Sequence, residues 1–168
     1  MKNIVLIGFP GSGKTSLGRI LSRELDCEFF DTDKEMERVT GLKVNQIAKK
    51  YGKIRFASEE RLIVKKMAVM EDTVIATGGS FIDNEENIDI LRGGSVFVFL
   101  DVDDDVLLER LKRRKVRPFA VKGNLCELVP RIYGERRPIY EKYADIAVNT
   151  TKMTMEEAAE EIIGQLKC

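Results

Sequence analysis

An α/β fold, with a parallel sheet covered by crossover helices, is the architecture this 168-residue sequence predicts. Three observations carry that expectation. Short β-rich runs alternate with longer segments of helical periodicity along the whole chain. Several of those runs are apolar nearly throughout, as strands covered on both faces are. A glycine-rich loop separates the first run from the first helical segment, the place where open α/β sheets bind ligands.

The first strand is expected at 3–7, where Ile4-Val5-Leu6-Ile7 is unbroken, and a helix over 14–25 follows. A second strand at 28–30 is succeeded by helices over 34–40, 44–51 and 54–70 before the third strand at 73–76. Those helices exceed what one crossover requires. They read as a substrate-holding insertion, about 32–62, within a single domain 1–168. A helix over 84–91, a strand at 95–100 and a helix over 103–113 come next. The chain closes with a helix over 125–143, a strand at 145–148 and a helix over 154–166. Thr154-Met155-Glu156-Glu157 fits a capping box opening that last helix.

Composition narrows the function classes. Lys plus Arg and Asp plus Glu are 28 each, so no global field recruits nucleic acid or a membrane surface. No apolar run is long enough to span a bilayer. The first strand opening at Asn3 leaves no length for a secretory leader. Cys27, Cys126 and Cys168 are scattered, without a C-x-x-C pair, which suits a reducing cytoplasm and argues against zinc. A cytoplasmic location is therefore expected; a monomer with a small-molecule acceptor is a further expectation. The absence of histidine leaves acid–base chemistry to carboxylates, lysine or water, and excludes His-dependent triads.

The loop itself is Gly8-Phe9-Pro10-Gly11-Ser12-Gly13-Lys14-Thr15, which matches the phosphate-binding pattern G-x-x-x-x-G-K-[ST] between strand and helix. Its glycines let backbone N–H groups turn around phosphate oxygens, and the helix start adds partial positive charge. Lys14 would reach the β- and γ-phosphates, and Thr15 would offer its hydroxyl to Mg²⁺. This is a P-loop NTPase signature.

Further motifs follow later strands. Asp31-Thr32-Asp33 comes directly after the second strand; in extended backbone its carboxylates, at i and i+2, point to one side. One would hold Mg²⁺ and the other would orient or deprotonate an acceptor hydroxyl. Asp33 also has the form of a helix cap before Lys34. Thr77-Gly78-Gly79 follows the third strand, where paired glycines permit close ligand approach. Lys112, Arg113, Arg114, Lys115 and Arg117 form a basic cluster running into Pro118. It reads as a solvated helix face, as a nucleic-acid patch, or as a mobile lid with Arg117 its candidate charge over the phosphates. Arg136 and Arg137 lie on the long helix over 125–143; surface ion pairs are the alternative role for both.

Taken in order, these pieces resemble the shikimate kinase family over nearly the whole chain. The resemblance rests on Gly8 to Thr15, Asp31-Thr32-Asp33, Thr77-Gly78-Gly79, Arg117-Pro118 and Arg136-Arg137-Pro138-Ile139-Tyr140. It implies a three-layer fold with a five-stranded parallel sheet in 2-3-1-4-5 order, and a lid at about 111–126. It also implies ATP-dependent phosphorylation of shikimate at its 3-hydroxyl. Gly11, Ser12, Gly13, Lys14, Thr15, Ser16, Arg110 and Arg117 would bind ATP, with Arg110 stacked on adenine. Thr15 and Asp31 would serve Mg²⁺. Asp33, Gly78, Gly79 and Arg136 would bind the acceptor, Asp33 at its hydroxyl and Arg136 at its carboxylate. Lys14, Asp33 and Arg117 would form the catalytic set.

This chain departs from the family pattern in three places. Ala57 stands where the family has an arginine that also holds the carboxylate; Arg55 and Arg61 are the nearby cations. Ser80 replaces the third glycine of a Gly-Gly-Gly turn, and the lid reads Arg117-Pro118-Phe119-Ala120 rather than Arg-Pro-Leu-Leu. These changes keep open a kinase for another polyol or sugar acid such as gluconate. A nucleotide-binding regulatory module with little turnover is the rival from another class; an acceptor base at Asp33 speaks against it.

Overall fold

The apolar runs assemble side by side. In the computed structural model, which describes residues 1–116 and 118–167, five strands form one sheet. They are β1 (Asn3–Ile7), β2 (Glu28–Asp31), β3 (Thr73–Ala76), β4 (Ser95–Asp101) and β5 (Ile146–Asn149). Their order is β2-β3-β1-β4-β5 and every pairing is parallel. β1 is central, with Val5 between Ile75 and Phe97, and all of its residues are buried. That position explains why its sequence does not alternate.

Helices cover both faces: α1 (Lys14–Glu24), α2 (Thr32–Thr40), α3 (Val44–Ala68), α4 (Glu85–Arg92), α5 (Asp104–Arg113), α6 (Leu125–Tyr143) and α7 (Met155–Leu166). Successive strand residues point to opposite faces and so divide the core. Ile4, Leu6, Val98 and Leu100 pack with Leu17 and Leu21 of α1 and Ala158 and Ile162 of α7. Val5, Ile7, Phe97 and Phe99 pack with Ile63, Ile88, Leu107 and Tyr133, from α3 to α6. Full burial contributes about 1.5–3 kcal/mol per large apolar side chain. Truncating one, as in Leu6→Ala, would cost about 2–5 kcal/mol.

Two local differences from the sequence reading bear on the site. The helices expected at 44–51 and 54–70 are one run, interrupted only at Gly52 (φ 84°, ψ 169°), where glycine allows the excursion. Helix α2 begins at Thr32, because Asp31, not Asp33, is its cap: the Asp31 side chain accepts from the Lys34 N–H at 3.1 Å. The capping box on α7 forms as predicted, Thr154 and Glu157 bonding each other's backbone at 3.1 and 2.8 Å.

Candidate active site

β1 ends at Ile7 and α1 starts at Lys14, leaving the glycine loop over the carboxyl edge of the sheet. Gly11 (φ 89°) and Gly13 (φ 98°) take left-handed conformations that other residues rarely adopt. Gly13 is the cap of α1 and no side chain bonds the helix start. The first-turn N–H groups therefore have no side-chain cap, and together with the helix dipole they suit an anion. Lys14 is folded back, its Nζ donating to the carbonyls of Gly8 (2.7 Å) and Phe9 (3.0 Å). Burial pulls its pKa down to about 8, against the opposing pull of Asp33 and Asp31. Ser12 is buried and Ser16 is exposed on the first turn of α1.

The acidic pair divides its work. Thr15 Oγ1 donates to Asp31 Oδ2 at 2.7 Å, joining a hydroxyl and a carboxylate beside the loop. These hard oxygens fit Mg²⁺. Asp33 is not on extended backbone as the i, i+2 argument assumed; it sits in the first turn of α2. It packs against Gly78, where an added Cβ would lie 2.0 Å from its Oδ1. The Gly78 N–H donates to Thr32 Oγ1 at 2.8 Å, so strand end and helix start are locked together. Burial, then repulsion from Asp31, raises the Asp33 pKa to about 6, while Lys14 opposes the rise.

Arg136 approaches from α6. It donates to the Gly79 carbonyl (3.2 Å) and to Asp83 Oδ2 (2.9 Å), and its guanidinium lies 4.0 Å from the centre of the Phe119 ring. The next residue turns away: Arg137 donates to Asp101 Oδ1 at 3.2 Å and to the Val102 carbonyl at 3.3 Å, and lies over Tyr133. Tyr133 in turn packs on Phe9 of the loop, ring centres 5.0 Å apart. Of the two arginines, Arg136 thus faces the turn after β3 and Arg137 braces α6.

The missing cation at 57 is not replaced by its neighbours, whose pairs lie elsewhere. Arg55 bonds Glu59 at 2.7 Å, and Arg61 bonds Glu86 of α4 at 3.1 Å. Glu60, one helical turn beyond Ala57, is instead held by neutral donors: Ser80 Oγ (2.7 Å) and Asn87 Nδ2 (3.2 Å). It is 2% exposed, and burial pushes its carboxyl up to about 7, with nearby Asp33 adding to the rise.

From α5, Arg110 Nη1 reaches the Ser12 carbonyl of the glycine loop at 3.4 Å. Arg117 lies outside the described residues. Phe119, two residues on in the sequence, adopts φ 57° and packs edge-on against Phe9 at 5.7 Å. Lys14, Thr15, Asp31, Asp33, Gly78, Gly79, Arg110 and Arg136 are therefore linked around one edge of the sheet through the contacts above. Sequence reasoning missed Asp83 and Asn87 altogether and gave Glu60 no role.

Residues 10–167 match the family model described as shikimate kinase. The chain belongs to the shikimate kinase family. It is accordingly an ATP-dependent kinase with a hydroxyl acceptor. A shikimate kinase from Pelotomaculum thermopropionicum is 46% identical over 99% of this chain and 96% of its own. One from Thermodesulfovibrio yellowstonii is 39% identical, covering 98% and 95%. Among solved structures, the shikimate kinase from Acinetobacter baumannii in complex with shikimate superposes with a TM-score of 0.92. It is 30% identical, with 99% of this chain and 93% of that one covered. The shikimate kinase from Aquifex aeolicus gives a TM-score of 0.84 at 39% identity, covering 98% and 96%. Among the described residues no helix is long and apolar enough to cross a membrane.

Proposed function

We propose that this shikimate kinase family member transfers the γ-phosphoryl group of ATP to the 3-hydroxyl of shikimate, with Mg²⁺, as a cytoplasmic monomer. The observation that carries the reading is that Lys14, opening α1 after β1, and Asp33, in the first turn of α2 after β2 and packed against Gly78, lie at the same carboxyl edge of the sheet. One serves the phosphoryl donor and the other the acceptor hydroxyl. Phosphoryl transfer needs positioning and charge stabilisation more than covalent chemistry, which suits a chain without histidine.

The loop amides of Gly11, Ser12 and Gly13, with Ser16 at the helix start, cradle the phosphates. Lys14 leaves the Gly8 and Phe9 carbonyls to reach them. Thr15 and Asp31 would hold Mg²⁺, which would supply positive charge to neutralise the phosphates. Arg110 flanks the nucleotide, and Arg117 supplies the lid charge. Asp33 is ionised at neutral pH, yet its raised pKa makes it a better acceptor of the hydroxyl proton than an ordinary aspartate. Gly78 gives Asp33 its room, Gly79 lines the pocket, and Arg136 takes the acceptor carboxylate.

Ala57 favours a second reading, a kinase for another sugar acid, since one carboxylate-binding cation of the family pattern is absent. An ADP-release assay across shikimate, gluconate, sugars and nucleosides decides between them. Shikimate is expected to turn over fastest; a rate no higher than the no-acceptor blank would reject the leading reading.

A further inference from the structure

We propose that Asp83 sets the acceptor affinity of this kinase: its carboxylate occupies Arg136 in the free enzyme, and an incoming acceptor carboxylate must displace it. The inference rests on the reading that Arg136 binds the acceptor.

The Arg136 side chain is only 16% exposed. One face is covered by the Phe119 ring and one Nη donates to the Gly79 carbonyl. Its other Nη, which an acceptor carboxylate would seek, already donates to Asp83 Oδ2 at 2.9 Å. Asp83 thus presents to Arg136 the same chemical group that the acceptor does.

The pair is not an accidental surface contact. Asp83 ends a single 3-10 turn, Phe81–Asp83, whose Phe81 and Ile82 are buried at 0% and 4% exposure. Its N–H donates to the Ser80 carbonyl at 3.0 Å, and Ser80 is itself pinned to Glu60. The following residue, Asn84, caps α4 through the Glu86 N–H at 3.1 Å. With its backbone held on both sides, Asp83 has little freedom to lose on pairing, and the bond to Arg136 forms at small entropic cost. The Asp83 side chain is nevertheless 50% exposed. Once displaced it returns to water instead of being stranded as a buried charge, so exchange of one carboxylate for another is feasible. Both carboxylates on one guanidinium would repel each other, which makes the two occupancies competitive.

The test is a comparison of acceptor KM, kcat and ATP KM for the wild type, Asp83→Asn, Arg136→Met and the double variant. Asp83→Asn keeps the side chain's size and removes its charge. It is expected to lower the shikimate KM by about two- to fivefold, with a much smaller change in kcat. The gain should vanish in the Arg136→Met background and with the neutral methyl ester of shikimate. Added salt should narrow the difference between wild type and variant. An unchanged or raised KM in Asp83→Asn, with Arg136→Met still raising it, overturns the proposal and leaves the acceptor assignment standing. If Arg136→Met leaves the KM unchanged, the acceptor role of Arg136 fails and the proposal falls with it. Asp83→Ser is the second variant should Asp83→Asn fold poorly, and the same outcomes decide it.

Discussion

Ser80 donates its hydroxyl to the buried carboxylate of Glu60 at 2.7 Å, tying the turn after β3 to helix α3. Two departures from the family pattern meet in this contact. Ala57 lies one helical turn before Glu60, within reach for an i, i+3 pair, so an arginine there would place a cation beside the carboxylate. Without it, Glu60 depends on Ser80 and Asn87, which are neutral.

That arrangement makes fold stability sensitive to pH. The Glu60 carboxyl is raised from 4.5 to about 7, so the folded state holds its proton more tightly than the unfolded chain does. Its contribution is complete below about pH 4.5 and is lost as pH rises through about 7. The span corresponds to roughly 3 kcal/mol. Glu60→Gln is therefore expected to gain melting temperature relative to wild type at pH 8 compared with pH 5. Parallel pH dependences for the two proteins would refute the assignment.

Restoring the cation should reverse this. Ala57→Arg is expected to lower the shikimate KM by roughly one decade, the scale of one charge-assisted hydrogen bond. It should also flatten the pH dependence of stability by keeping Glu60 ionised. An unchanged KM would point to a different acceptor.

Asp33→Asn should reduce kcat by roughly 10²–10⁴, the usual range for a lost general base, while ATP affinity changes little. In wild type, kcat/KM should fall as pH drops through about 6, where Asp33 takes up its proton. Equal losses in turnover and ATP affinity would contradict its placement at the acceptor.

Lys14→Ala should abolish transfer. In the intact enzyme, ATP affinity should weaken as pH rises through about 8, because the buried ammonium of Lys14 deprotonates there. Isothermal titration between pH 7 and 9.5 reads this directly, and a flat profile would show that Lys14 does not carry the charge that ATP meets.

Gly78→Ala should cost more activity than stability. A methyl group at 78 would sit 2.0 Å from Asp33 Oδ1, and the movable partner is the carboxylate itself. Turnover is expected to fall at least tenfold with only a modest loss in melting temperature. Retained turnover would mean that Asp33 does not act from this position.

What could be read along the chain is what nearby residues decide. Apolar runs gave strands, 3.6-residue periodicity gave helices, and the spacing of Gly8, Gly13, Lys14 and Thr15 gave the glycine loop between β1 and α1, because each depends on backbone geometry within a few residues. Even Pro130 and Pro138 do not interrupt α6, whose apolar face secures it in the core. The surroundings of Glu60 and Arg136 were decided by packing. Ser80 meets Glu60 across 20 residues, and Arg136 meets Asp83 across 53. No periodicity encodes such pairs; they exist only because the sheet order and the helices laid upon it bring the turn after β3 against α3 and α6. The same holds for the division of labour between Asp31 and Asp33. The sequence supplied both carboxylates, and the start of α2 at Thr32 made one a cap beside Thr15 and buried the other against Gly78.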